Sequence, residues 1–238
     1  MSKIKIDKNI FSKKASWSFA KNIAPKFDNH IKKSIPMYED AQWLCNELSD
    51  YFIKENSIVY DIGCSTGSFL KKLATRHKAK KKVKFYGIDI IKQMVIHAKK
   101  YNKTKNVEFL NQDVKKINFK KNDFIISFYT MQFINQNHRQ VMINKIYKSL
   151  NWGGAFFFAE KVRSYDARTQ DMMNEIYKEW KFSNGFSNEE INSKTKSLKG
   201  VLDPFSTKGN LDLLKRAGFK DISSVAKFVC FEIFLAIK

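Results

Sequence analysis

The chain has 238 residues, a net charge of +21 from 44 basic and 23 acidic side chains, and 43% hydrophobic content. That length and apolar content suit one sizeable α/β domain, and with 9 glycines and 3 prolines they exclude collagen-like and disordered classes. No stretch approaches the ~20 apolar residues of a membrane crossing, and the start from Met1 to Lys14 carries no signal-peptide core. Cys45, Cys64 and Cys230 form neither a disulfide framework nor a zinc pattern, which points to a reducing, cytoplasmic setting.

Residues 1–50 read as helical, with 38–52 clearly amphipathic. Residues 57–62 are a short apolar run of buried-strand type, stopped by Gly63-Cys64-Ser65-Thr66-Gly67-Ser68. Phe69, Leu70, Leu73 and Ala74 then resume at helical spacing, so strand, glycine turn and helix open a βα unit. Residues 83–88 predict a second strand ending in Asp89, with Met94, Val95, Ala98 and Tyr101 on one face of the next helix. Residues 107–110 predict a third strand, closed by Gln112-Asp113. A very apolar fourth follows at 123–128, with a helix over 139–150. Residues 151–154 read as a helix stop and turn, and 155–160 as a fifth strand. Five strands alternating with helices predict a parallel, doubly wound sheet. Residues 161–200 are polar and helical in composition, 211–216 are a helix, and 222–225 and 228–237 predict two last strands paired antiparallel. The expected organisation is a single domain over 1–238, with a helical cap at 1–52 and a helical insertion at 161–207.

The charge invites a nucleic-acid partner, but arginine occurs only at Arg76, Arg139, Arg163, Arg168 and Arg216. Nucleic-acid sites recruit arginine for its bidentate fork, and the lysines here are spread along the whole chain. A nucleic-acid partner is not favoured. The first glycine turn is more telling, because glycine lets backbone approach a ligand closely. Asp61 precedes it, and Asp89, with Ile90 beside it, ends the next strand where a carboxylate suits both hydroxyls of a ribose. The turn lacks the three-glycine dinucleotide pattern, so an adenosine with an amino-acid tail fits better than a pyrophosphate. Bland alternatives stand beside these readings: Asp89 and Asp113 as caps or turn formers, and Cys64 as a packed small residue. His30, His77, His97 and His138 have no metal spacing, and no metal is expected. Phe128-Tyr129 ends the fourth strand, at the edge where ligands sit. Trp17 and Tyr38 either close a lid or staple the first helices. Lys161, Arg163 and Arg168 either bind an acidic acceptor or are solvated charges. Tyr129 and His138 are the candidate bases.

Asp61-Ile62-Gly63-Cys64-Ser65-Thr66-Gly67, Asp89 and Gln112-Asp113 resemble the S-adenosylmethionine (SAM) motifs of class I methyltransferases. The resemblance implies SAM as cofactor, with 63–67 at its methionine moiety, Asp89 on the ribose and Asp113 at the adenine amino group. It also implies a Rossmann-like fold: a mostly parallel seven-stranded sheet, an antiparallel C-terminal strand, extra N-terminal helices and a helical insertion after the fifth strand. Further out, Trp17-Ser18-Phe19, Ser34-Ile35-Pro36-Met37-Tyr38, Thr130-Met131-Gln132-Phe133, Glu160-Lys161, Asn184-Gly185-Phe186-Ser187, Glu190-Ile191 and Lys194 are similar to the carboxy-SAM synthase branch. That branch joins a prephenate-derived carboxyl group to SAM for the modification of a tRNA wobble uridine. The resemblance also implies a homodimer contact around 180–202.

Two positions depart from that pattern. The branch is expected to carry an arginine after the lysine of its Glu-Ile-x-x-Lys stretch, pairing with the new carboxylate; here Lys194 is followed by Thr195 and Lys196. Threonine cannot replace a charge-assisted bidentate pair, and Lys196 compensates only if the helix register lets it reach. The asparagine expected at the end of the fourth strand is replaced by Phe128. Three functions follow from these residues: methyl transfer to a small, anionic acceptor; carboxy-SAM synthesis from prephenate; and a SAM-binding RNA-modification protein using the lysine excess.

Overall fold

The computed structural model describes residues 23–238, together with the backbone of two short strands, β1 (Ile4–Asp7) and β2 (Ile10–Ser12). These two pair antiparallel, so the helical expectation for 1–50 fails there; Ile4-Lys5-Ile6 alternates with the period of a strand. Helices begin at α1 (Ala24–Ser34), with Pro25 in its first turn, and continue with α2 (Tyr38–Phe52).

The main sheet has seven strands: β3 (Ile58–Ile62), β4 (Lys84–Asp89), β5 (Val107–Asn111), β6 (Asn122–Phe128), β7 (Leu150–Lys161), β8 (Asp221–Phe228) and β9 (Phe231–Ile237). Their spatial order is β5-β4-β3-β6-β7-β9-β8, and β9 pairs antiparallel with both neighbours while the rest run parallel. This is the Rossmann-like methyltransferase sheet that the motifs imply. β7 starts earlier than the glycines suggest: residues 151–154 belong to the strand, at a register shift opposite β6. There Gly153 and Gly154 exchange backbone hydrogen bonds with Lys238, which keeps the chain in the sheet. Phe228 closes β8, so the last turn falls at 229–230.

Alternation along the strands feeds two cores. Val59, Phe85, Phe124, Ile126 and Phe157 face α2, α3 (Ser68–Arg76) and α4 (Lys92–Tyr101). Ile62, Ile88, Ile125, Phe156 and Phe158 face α5 (Gln136–Ser149) and α8 (Thr207–Ala217). Between β7 and α8 come α6 (Ala167–Ser183) and α7 (Asn188–Leu198), the latter started by a Ser187–Glu190 capping box. A third cluster joins Ala24 and Phe27 of α1 to Met94 of α4, with Leu198 of α7 against it, so the helical additions pack over the strand ends. No helix among the described residues is long and apolar enough to cross a membrane.

Candidate functional site

The strand order reverses between β3 and β6, and in open α/β sheets the crevice at such a point takes the ligand. The turn after β3 forms one lip. Gly63 sits at φ +76°, and a Cβ there would lie 2.0 Å from Thr130 Oγ1, on the loop after β6. Only glycine lets the lips approach this closely. Gly63 and Cys64 both donate N–H to Ile88 O, at 2.8 and 3.1 Å. Ser65, itself left-handed, donates its N–H to Asp89 Oδ2 at 2.9 Å, while Ile91 N–H reaches Asp89 Oδ1 at 2.8 Å. Asp89 therefore ties the glycine turn to the start of α4 and lines the cavity with its carboxylate. Its capping and ligand-facing roles coexist.

Asp61 lines the same cavity, 3% exposed, and no described residue hydrogen-bonds to its carboxylate. Burial first, and Asp89 second, push its pKa up to about 7. A cationic ligand group would restore the missing partner. Tyr38 stacks on Tyr129 with centroids 5.9 Å apart, and burial raises both phenols well above their ordinary value. Thr66 Oγ1 donates to Asp28 Oδ1 of α1 at 2.8 Å, drawing that helix over the turn.

The loop after β6 is built around Tyr129, which sits at φ +55°. For an aromatic residue this is strained backbone. Tyr129 N–H donates to Ala159 O at 2.7 Å, and its carbonyl accepts from Gln132 Nε2 at 3.1 Å. Glu160 clamps the next turn by accepting N–H from Met131 and Gln132, both at 2.9 Å. Burial pushes its carboxyl up to about 8, against the opposing pull of those N–H groups. Gln132 Oε1 accepts Lys161 N–H at 3.0 Å. The network locks Tyr129 and Lys161 side by side at the carboxyl ends of β6 and β7.

Beyond Tyr129 the wall turns basic. The Lys161 and Lys181 ammoniums lie 4.7 and 4.3 Å from the centroid of the Tyr177 ring, and Tyr177 Oη donates to Ser34 O at 2.6 Å. Lys194 Nζ is 3.1 Å from His30 Nε2, and Arg163 pairs with Asp203 at 3.3 Å. A single cavity of about 880 Å³ runs from Asp61 and Asp89 to these lysines. That lies toward the top of the roughly 300–1,000 Å³ range of small-molecule sites.

The structure thus brings together Tyr38, Asp61, Gly63, Cys64, Ser65, Asp89, Ile90, Asp113, Phe128, Tyr129, Arg163 and Lys194 around one space. Other expected residues lie elsewhere. Gly67 is the left-handed N-cap of α3, and a Cβ on it would meet Phe109 at 2.5 Å, so it serves packing rather than the ligand wall. His138 is exposed on the first turn of α5, away from the cavity. Arg168 and Lys196 are exposed and do not line the cavity; two residues along a helix turn a side chain about 200° away from Gln170 and Lys194, which do. Tyr129 lines the site, with its phenol pushed up chiefly by burial. Asp113 caps its own turn through Lys115 N–H at 2.9 Å while also lining the cavity. Cys64 is buried with its thiol pushed well up, chiefly by burial, the packed state that its size suggests. Trp17 lies outside the described residues. Sequence reasoning missed Tyr177 and Lys181. Their signal was the stripe Gln170, Asn174, Tyr177, Lys181 on one face of α6.

Comparison with known proteins agrees with this fold. A methyltransferase domain family matches residues 59–154. A carboxy-S-adenosyl-L-methionine synthase of Staphylococcus epidermidis is 35% identical over 223 residues, covering 93% of this chain and 97% of that protein. The enzyme of the same name from Campylobacter lari is 38% identical over 226 residues, covering 93% and 94%. Among solved structures, human N-acetylserotonin methyltransferase in complex with SAM superposes with a TM-score of 0.62 at 18% identity, over 90% of this chain and 55% of that one.

Proposed function

The chain belongs to the carboxy-S-adenosyl-L-methionine synthase family, and from that premise we propose that it joins a carboxyl group from prephenate to the methyl of bound SAM. Prephenate gives up its ring carboxyl to the methyl carbon and its ring hydroxyl as water, which carries off the proton displaced from the methyl, and is left as an aromatic keto acid. It is a SAM-dependent transferase. SAM supplies a methyl group activated by the adjacent sulfonium. The chain's own residues bind, orient and exclude water. Asp89 suits the ribose hydroxyls and Asp113 the adenine amino group. The buried Asp61 carboxylate, without a protein donor, fits the ammonium of the methionine tail. The Tyr38–Tyr129 stack screens the crevice from solvent.

The observation that carries the reading is the continuity of the cavity from this acidic cradle to Lys161 and Lys181. A cofactor carrying a new carboxylate needs a cation near its methyl. Thr195 and Phe128 do not provide one; the two lysines lie on the adjoining wall. Incubating the protein with SAM and prephenate, and weighing the nucleoside product by mass spectrometry, tests it. A product heavier than SAM by one carboxyl group is expected; unchanged SAM overturns the reading.

Methyl transfer to a small anionic acceptor is the second reading, favoured by Thr195 standing where the family resemblance expects arginine. It is recognised in the same assay by release of S-adenosylhomocysteine, which carboxylation does not produce. The tRNA role and a reducing cytoplasmic setting belong with the synthase reading. Direct RNA binding through the lysine excess is a weaker reading, because the arginine that would give base readout is scarce; nucleic-acid affinity that falls steeply with salt would support it, and none at low salt would remove it.

A further inference from the structure

Half-buried ammonium groups are ordinarily paired with carboxylates, since leaving water uncompensated is costly. Lys161 and Lys181 break that rule together. No described carboxylate makes an ion pair with either, although both approach the same ring at 4.7 and 4.3 Å. Strand alternation sends Glu160 to the opposite face of the sheet, where its oxygens already accept Met131 and Gln132 N–H. The neighbouring Cys230 is a buried thiol held neutral by its surroundings. The attraction of a cation for an aromatic face is modest and does not balance two like charges brought to one ring. Tyr177 itself is fixed by its hydrogen bond to Ser34 O at 2.6 Å and by edge contact with Phe231 at 5.2 Å. Lys161 is fixed through the Gln132 contact to its backbone. The ring and the Lys161 backbone are therefore held in place, and the two ammoniums face a cavity with no ion-paired carboxylate among the described residues.

We propose that Lys161 and Lys181, gathered over the Tyr177 ring, form the carboxylate-binding subsite for the second substrate, a small cyclic organic acid. The flanking wall of Phe128, Tyr129 and Phe231 offers aromatic surface to the body of such an acid. The lysines hold its charge beside the ends of β6 and β7, where the reacting methyl is presented. This subsite takes the place of the arginine that the chain lacks at position 195. It rests on the reading that SAM occupies the acidic end of the same cavity.

Calorimetric titration of the SAM-saturated protein with prephenate near neutral pH tests the subsite. Lys181→Met and Lys161→Met are each expected to weaken prephenate by about tenfold or more, while Lys181→Arg stays within about threefold of wild type. All variants are expected to keep SAM affinity within about twofold, which also shows that they are folded. Equal prephenate affinity in wild type and both methionine variants overturns the assignment, as does wild-type protein that takes SAM but not prephenate. A wild type that fails to take SAM at all counts instead against the cofactor reading.

Discussion

The two ends of the cavity are built by opposite means. The acidic end, with Asp61 and Asp89, comes from two adjacent parallel strands and one glycine turn, and the N–H groups of Gly63, Cys64 and Ser65 are taken up by Ile88 O and the Asp89 carboxylate. The basic end comes from the exit of β7 and the α6 helix, joined by an aromatic ring, and no carboxylate among the described residues makes an ion pair with its two lysines. A ligand that is cationic at its tail and hydroxylated at its ribose belongs at the first; an anion belongs at the second. On the proposed reading, opposite charge at the two ends keeps the two substrates from exchanging places.

The comparison breaks most plainly at Asp89. Asp89→Ala removes the acceptor of Ser65 and Ile91 N–H as well as the proposed ribose partner, and is expected to weaken SAM about 100-fold, roughly 3 kcal/mol, by calorimetry. Retained SAM affinity would show that the acidic end is structural only. Asp61→Asn sharpens the contrast in a second way. With Asp61 held up at about 7, folded and unfolded chains are both protonated well below its ordinary range, and no penalty exists there. As pH rises toward 7 the unfolded chain ionises first, so stability is lost, and above 7 the full cost of the buried charge is present. Glu160, at about 8, adds to the same trend. Asp61→Asn is therefore expected to raise the melting temperature of ligand-free protein by a few degrees at alkaline pH, yet to weaken SAM by about tenfold. A variant that gains neither stability nor loses affinity would place the charge elsewhere.

At the basic end, burial pulls Lys181 down to about 8, with Lys161 and Lys178 pulling the same way and the Cys230 thiol opposing; Tyr177, its phenol raised, stays neutral across this range. Prephenate affinity should hold below pH 8 and fall above it, by up to about tenfold per pH unit, because the deprotonated amine must first regain its proton. SAM affinity should move the other way, rising as Asp61 ionises near 7. Two profiles of the same slope sign would erase the distinction between the ends. The smallest effect is expected at Arg168→Ala and Lys196→Ala, whose side chains leave the cavity wall: affinities within about twofold and stability within about 0.5 kcal/mol.

This division also explains what the sequence made legible. Asp61, Gly63 and Asp89 are close in the chain, and a strand–glycine–helix pattern has few other uses, so the acidic end and the sheet around it were readable. The structure sets Lys194 on the cavity wall and Lys196 off it, because the sequence names both while only the helix phase chooses between them. Lys181 and Tyr177 went unseen since their meaning depends on β7 arriving beside α6, a contact between elements with no local signal. The N-terminal strands escaped because short alternating segments in a lysine-rich stretch read equally as helix.

Helix α1 has a consequence of its own. Near its first turns Asp28 accepts the Thr66 hydroxyl of the glycine turn, and at its last residue Ser34 O accepts the Tyr177 hydroxyl of the anion wall. The helix is a strut bolted at both ends, so whatever seats one ligand also sets the footing of the other. Energy passed along such a strut is reciprocal: the factor by which SAM changes prephenate affinity must equal the factor by which prephenate changes SAM affinity. Tyr177→Phe, which unbolts one end and leaves the ring in place, should bring both factors toward one.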